Sequence, residues 1–183
     1  AESMESLANA FVLAMIGIFA LLVFIFNSIL KPFIILTTIP LGLLGFSIAF
    51  YLHDKPVSFL ALIGVIGLAG MIVNSGIVLI SYIDEVKKKG SENLDVILKN
   101  ASVTRFKPVL VTSLTTISGL FPTAYGLGGT DPMLVPMTLA MAWGLTTGTI
   151  LTLVWVPCAY RILEDFLLFS DNMVEMINKI CNR

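Results

Sequence analysis

The sequence is short of charge, of histidine and of cysteine, and each shortage removes a class of function. Asp, Glu, Lys and Arg make up 13% of its 183 residues, where a soluble domain carries about 25%. Water is the wrong solvent for such a chain. The single histidine, His53, sits in a short turn, so neither a histidine-based triad nor a zinc motif of paired histidines is available. The two cysteines, Cys158 and Cys181, fall in an apolar run and in the C-terminal tail, which implies no disulfide framework. A glycine-rich phosphate loop is missing too. A net charge of −1 gives no pull toward nucleic acid or an acidic substrate. The opening Ala1-Glu2-Ser3-Met4-Glu5 has neither an initiator Met nor a basic leader region, and reads as part of something longer or as a processed chain. The expectation is therefore no enzyme, no cofactor and no metal site.

What is abundant is apolar surface, 57% of the residues, gathered into long runs. A helix crossing the ~30 Å hydrocarbon core needs about 20 apolar residues. Five stretches qualify, roughly 9–26, 33–52, 58–83, 109–127 and 135–160, and none contains Asp, Glu, Lys, Arg or His. Backbone groups find no water inside lipid, and the runs lack the alternation of a barrel strand, so the spans are helices. The fold class is an all-α membrane protein in contact with the lipid bilayer. Every basic residue except Lys55 falls on one side of it. Lys31 is in the first loop, Lys87 to Lys107 bracket the third, and Arg161, Lys179 and Arg183 are in the tail. The positive-inside rule puts that side in the cytoplasm and the N-terminus outside. Two amphipathic segments flank the spans. Leu94, Ile97, Leu98 and Ala101 share one face of a cytoplasmic helix over about 91–103. Phe169, Met173, Met176, Ile177 and Ile180 do the same in a tail helix over 164–183, beyond the 1–163 bundle. Each lies in the interface or docks on the bundle.

Small and polar residues inside the spans need explaining. Gly64, Gly67 and Gly70 on the third span, and Ala140, Gly144 and Gly148 on the last, give smooth faces where backbones can approach. Pro40 and Pro157 fall inside spans and predict kinks. Trp143 and Trp155 are packing or lipid-facing residues. Asn74 and Ser75 sit near mid-span, and Thr112 and Thr116 share a face of the fourth span. Two readings are open for Asn74 and Thr112, namely interhelical hydrogen bonds worth ~0.6 kcal/mol each or the lining of a wet ion path.

Three segments carry a resemblance. Gly-Leu-Ala-Gly-Met-Ile-Val-Asn-Ser-Gly-Ile-Val-Leu-Ile-Ser-Tyr-Ile-Asp (67–84) resembles the signature helix of the resistance-nodulation-division efflux pumps. Arg-Phe-Lys-Pro-Val-Leu-Val-Thr-Ser-Leu-Thr-Thr (105–116) is similar to the family's next membrane segment, and Leu-Val-Trp-Val-Pro-Cys-Ala-Tyr (153–160) to its final span. The resemblance covers nearly the whole chain. It implies the last five spans of the C-terminal half, since the N-terminal half carries paired aspartates where this chain has Asn74-Ser75.

By that resemblance the chain is part of a proton-driven pump of the bacterial inner membrane that exports small amphiphilic or drug-like compounds. Implied partners are the N-terminal half and outer domains of the same transporter, in a homotrimer with a periplasmic adaptor and an outer-membrane channel. Thr112 matches the family's relay threonine and Arg105 a basic residue at the cytoplasmic mouth. Asn74 stands where the well-known drug pumps have a lysine, so the implied share of this chain is the neutral half of the relay. A protein-export auxiliary of the same superfamily and a truncated, non-transporting membrane scaffold are the alternatives.

Overall fold

The computed structural model describes the backbone of residues 2–88, 94–127, 129 and 131–181, and the side chains of 4–88, 96–127, 129 and 131–167. Among the described residues there are six helices and no strand. They are α1 (Glu2–Phe26), α2 (Leu30–Leu36), α3 (Ile39–Leu52), α4 (Phe59–Lys88), α5 (Leu94–Ala124) and α6 (Leu134–Cys181).

Helices α2 and α3 make one crossing with a break in it. Pro40 has no N–H to give to the Leu36 carbonyl, and threonine hydroxyls bond the two carbonyls just before that gap. Thr37 donates to the Ile34 carbonyl at 2.7 Å and Thr38 to that of Ile35. Trp155 of α6 then donates its indole N–H to the Thr37 hydroxyl at 3.0 Å, tying the break to its neighbour. The kink expected at Pro40 is therefore present and hydrogen-bonded. At Pro157 helix α6 runs on without ending.

Four segments are long and apolar enough to cross a membrane, Met4–Phe26, Leu30–Leu52, Phe59–Lys88 and Leu134–Leu167. They overlap four of the five expected spans; the first extends at its N-terminal end, and the other three extend mainly toward the basic side. The fourth expected span, 109–127, falls in α5, which is not among these four and whose 31 residues include Lys99, Arg105 and Lys107 as well as a run of Ser and Thr. It packs along α6 and α4. The stretch expected as a cytoplasmic helix over about 91–103 is continuous with the rest of α5 from Leu94 onward, and its first residues lie outside those described. The tail over 164–183 likewise continues α6 as far as Cys181.

Helix α6 is the hub, packed against α2, α3, α4 and α5, while α1 lies on the flank. Missing side chains allow this density. A Cβ on Gly64 would lie 2.6 Å from the Met137 carbonyl oxygen, and one on Gly45 would lie 2.7 Å from that of Trp143. Gly144 faces Leu68, and Gly148 faces Ile72 and Gly42. Ala140 is fully buried. Gly67 touches only the end of the Met141 side chain, and Gly70 faces open space. Toward lipid the bundle turns large apolar residues, with Leu13, Ile16, Phe24, Ile48, Ile150 and Val154 all exposed.

Candidate intramembrane site

Hydroxyl side chains inside a helix can satisfy themselves by donating to the carbonyl one turn back. Thr112 does so to Pro108 at 3.0 Å and Thr116 to Thr112 at 2.9 Å, while Thr115 bonds Val111 and Thr112. Each keeps lone pairs free to accept. Ser113, one residue on from Thr112, points into the bundle and pairs with Thr149 of α6 at 2.9 Å, a buried bond that fixes the rotation of α5 against α6. That rotation aims Thr112 and Thr116 at α4. A cavity of about 60 Å³ lies there, lined by Met71, Asn74, Ser75, Thr112, Ser113, Thr116 and Leu145.

Asn74 and Thr112 thus meet at one small polar cavity between α4 and α5, closed on the third side by Leu145 of α6. Ser75 donates back to Met71 at 3.3 Å, but the Asn74 amide has no hydrogen-bond partner among the described residues and is exposed. An amide both donates and accepts without changing charge. The cavity can therefore hold a water and orient it, or solvate a charged group brought to it, but it contains nothing that titrates.

Arg105 is placed elsewhere. Two turns from Thr112 along α5, its guanidinium lies 4.5 Å from the centre of the Tyr82 ring, a cation–π contact. Its Nε is buried without a hydrogen-bond partner among the described residues. Of the three relay candidates, the structure brings two together and sets the third apart.

One cluster was not singled out from the sequence. Asp84, just past the expected end of the third span, lies inside α4 and is 16% exposed. Lys31 of α2 donates to its two carboxylate oxygens at 2.8 and 2.7 Å, and Tyr160 of α6 donates to Oδ1 at 2.9 Å. Lys87 and Glu164 add a second α4–α6 pair at 2.6 Å. The signal was present in part, because antiparallel spans bring Lys31 and Asp84 to the same face of the membrane. Their separation of 53 positions hides the partnership.

The model of the AcrB/AcrD/AcrF family matches residues 1–164. The swarming motility protein SwrC of Bacillus subtilis is 32% identical over 167 residues, covering 91% of this chain and 16% of SwrC. The cobalt-zinc-cadmium resistance protein CzcA of Cupriavidus metallidurans is 32% identical over 81% of this chain and 14% of its own length. The multidrug resistance protein MdtC of Photorhabdus laumondii is 28% identical over 87% of the chain and 15% of its own. A crystal structure of a heavy metal efflux pump superposes with a TM-score of 0.77 at 27% identity, over 86% of this chain and 16% of that one. The chain spans about one sixth of the length of these relatives.

Proposed function

The chain belongs to the AcrB/AcrD/AcrF family, and on that footing we propose that it is a membrane segment of a proton-driven exporter that supplies the neutral side of the proton relay. The observation that carries the reading is the shared cavity of Asn74 and Thr112, polar at mid-membrane and without a carboxylate. Polar groups in a bilayer are costly and mark pathways or partners. An amide and a hydroxyl do not titrate at physiological pH, so they orient water or a carboxylate rather than carry the proton's charge. The titrating groups come from another segment of the same transporter, packed on the open face of α4 and α5. The assignment to the C-terminal half rests on Asn74-Ser75 standing where the other half has paired aspartates.

Orientation follows from charge. Among the described residues Lys31, Lys87, Lys88, Lys99, Arg105, Lys107 and Arg161 fall toward one end and Lys55 toward the other, a bias that supports a basic end in the cytoplasm of a bacterial inner membrane. A trimer working with a periplasmic adaptor and an outer-membrane channel is the assembly implied. Small amphiphilic or drug-like compounds are the proposed cargo, in line with the multidrug resistance name of MdtC. The names of CzcA and of the solved heavy metal pump favour a second reading, a metal cation. Exchanging the outer domains between the two kinds of pump while keeping this segment tests the choice, because the cargo should follow the outer domains.

The relay reading is tested by Thr112→Ala in the full-length context. Thr112 is exposed and its hydroxyl bonds only its own helix, so stability should change by no more than about 0.5 kcal/mol. Transport should fall at least tenfold with the amount of protein unchanged. Equal losses of protein and transport would assign Thr112 to packing instead.

A further inference from the structure

Between α5 and α6, at the basic end of the bundle, runs a groove of about 390 Å³ whose lining includes Leu98, Lys99, Ser102, Cys158, Arg161 and Ile162. That size falls in the range of about 300–1,000 Å³ typical of sites for organic ligands. Short side chains keep the trough open. The Ser102 hydroxyl is turned back onto the Leu98 carbonyl at 2.9 Å, and Cys158 on the α6 wall is exposed. Pro157 lies beside it. The groove is not on the face that carries the relay candidates. Thr112 lies thirteen residues beyond Lys99 on α5, which at 3.6 residues per turn is about 140° around the helix.

The chemistry of the groove changes along its length. No charged residue occurs on α6 from Leu134 to Tyr160, and Arg161 is the first. A helix takes about 20 residues to cross the hydrocarbon, and up to about 25 when it tilts. Counted from Leu134, the inner boundary falls near Pro157 and Cys158, and Arg161 stands in the headgroup layer. Lys99 lines the same groove from α5, is exposed, and has no hydrogen bond or ion pair among the described residues. Arg161 donates from Nε to the exposed Asp165 at 3.3 Å, and its planar guanidinium is a fork suited to phosphate. Toward the membrane interior the walls are apolar. Ile150 and Val154 precede Cys158 and Arg161 on one stripe of α6, at i, i+4, i+8 and i+11, and Phe106 follows Lys99 on α5 at i+7. Ile150, Val154 and Phe106 are all exposed. Cations in the headgroup layer above an apolar trough match a molecule with an anionic head and an apolar tail.

We propose that the α5–α6 groove seats an anionic phospholipid, with its phosphate between Lys99 and Arg161 and one acyl chain along Cys158, Val154 and Ile150. A zwitterionic lipid brings a cation of its own to the two already there, so headgroup charge selects the occupant. Each basic residue near an anionic lipid contributes about fivefold in affinity, so two give a preference on the order of 25-fold, or nearer fivefold where Asp165 cancels one. The site needs only the groove and a bilayer. Its place in the cytoplasmic leaflet rests on the orientation reading above.

The native thiol of Cys158 is the reporter, in the full-length transporter with Cys181→Ser and every other cysteine replaced. The protein is placed in nanodiscs of phosphatidylcholine alone, or of phosphatidylcholine and phosphatidylglycerol in equal parts, and labelled with neutral N-ethylmaleimide. Ile29→Cys on a Cys158→Ser background is the control, because Ile29 is exposed at the same end of the bundle and outside the groove. An anionic surface gathers protons and suppresses every nearby thiolate, so the ratio of the two rates is what is read. Phosphatidylglycerol should slow Cys158 at least threefold relative to Ile29→Cys, and Lys99→Gln with Arg161→Gln should abolish that difference. A ratio unchanged by phosphatidylglycerol overturns the site, as does protection that survives the loss of both cations. A Cys158 thiol that reacts in neither disc is covered by protein, which also overturns it. Equal protection by millimolar inorganic phosphate in phosphatidylcholine discs would assign the groove to a free anion and refute the lipid. Both leaflets of a disc hold the same lipids and labelling does not depend on transport. Failure here therefore leaves the orientation and relay readings standing, and a fully active Thr112→Ala would sink the relay without touching the groove.

Discussion

Alanine at Gly64 sets helix propensity against packing, and a second glycine on the same helix separates the two. In a helix, alanine is favoured over glycine by about 1 kcal/mol, a gain that Gly64→Ala and Gly70→Ala share. They differ in what the new methyl meets. At Gly70 there is nothing within 4 Å. At Gly64 the Cβ would lie 2.6 Å from the Met137 carbonyl oxygen and 3.2 Å from both the Met137 Cα and the Ala140 Cβ. Most of these are backbone atoms of α6, which cannot rotate aside. Reaching ordinary contact near 3.4 Å requires α4 and α6 to part by about 0.8 Å at this crossing. That also loosens Leu68 against Gly144 and Ile72 against Gly148, on the same interface. Overpacking of this kind costs about 1–3 kcal/mol. Gly64→Ala should therefore be less stable than Gly70→Ala by about 2 kcal/mol, read as the difference in unfolding midpoint in mixed micelles of rising SDS content. Two variants agreeing within about 0.5 kcal/mol would show that the α4–α6 crossing yields easily, and would refute the argument.

Two further outcomes can be checked in the same assay. Lys31→Met leaves Asp84 with Tyr160 alone and should cost about 2–4 kcal/mol, since breaking a largely buried ion pair strands a charge. Adding Asp84→Asn should restore most of the loss, and a double variant as unstable as the single one would exclude that cause. Thr152 is 2% exposed and its hydroxyl has no partner among the described residues. The near-isosteric Thr152→Val should therefore raise stability by about 1 kcal/mol, and a loss would show that the hydroxyl is bonded.

How much of this was legible in the sequence depended on the range of the interaction. Apolar runs placed α1, the α2–α3 crossing, α4 and the membrane part of α6, because burial in lipid needs only length and composition. The continuity of α5 was not legible. Lys99, Arg105, Lys107 and Pro108 read as a loop before a span, yet a proline inside a membrane helix is tolerated when neighbouring groups satisfy the backbone it frees. The tail had the same ambiguity, since an amphipathic run after Arg161 looks alike whether α6 stops or continues. In the site, Asn74 and Thr112 could be singled out as polar residues in lipid, but their meeting depends on the rotation of α5, and the Ser113–Thr149 bond that supports it joins residues 36 apart. Arg105 was expected at the cytoplasmic mouth by resemblance alone, and its stacking on Tyr82 depends on the approach of α4. The Gly64 to Gly70 row read as one smooth face, whereas the helix turns Gly70 outward, with nothing within 4 Å of an added Cβ.

The polarity of the unsatisfied groups says something about whatever covers them. The Asn74 amide carries two donors and no partner among the described residues. Thr112, Thr115 and Thr116 have already given their protons to their own helix, so they present lone pairs that a protonated acid or a water can use. A surface of apolar residues would leave every one of these unmet, at a cost of about 1–3 kcal/mol each. A surface of lysines would bond the hydroxyls and the Asn74 carbonyl oxygen but leave both Asn74 N–H donors unmet. A carboxylic acid satisfies both sets, because its ionised form accepts from Asn74 while its protonated form donates to a threonine. The neutral face of α4 and α5 is thus matched to a group that changes its protonation state, and it would hold that group differently in each state.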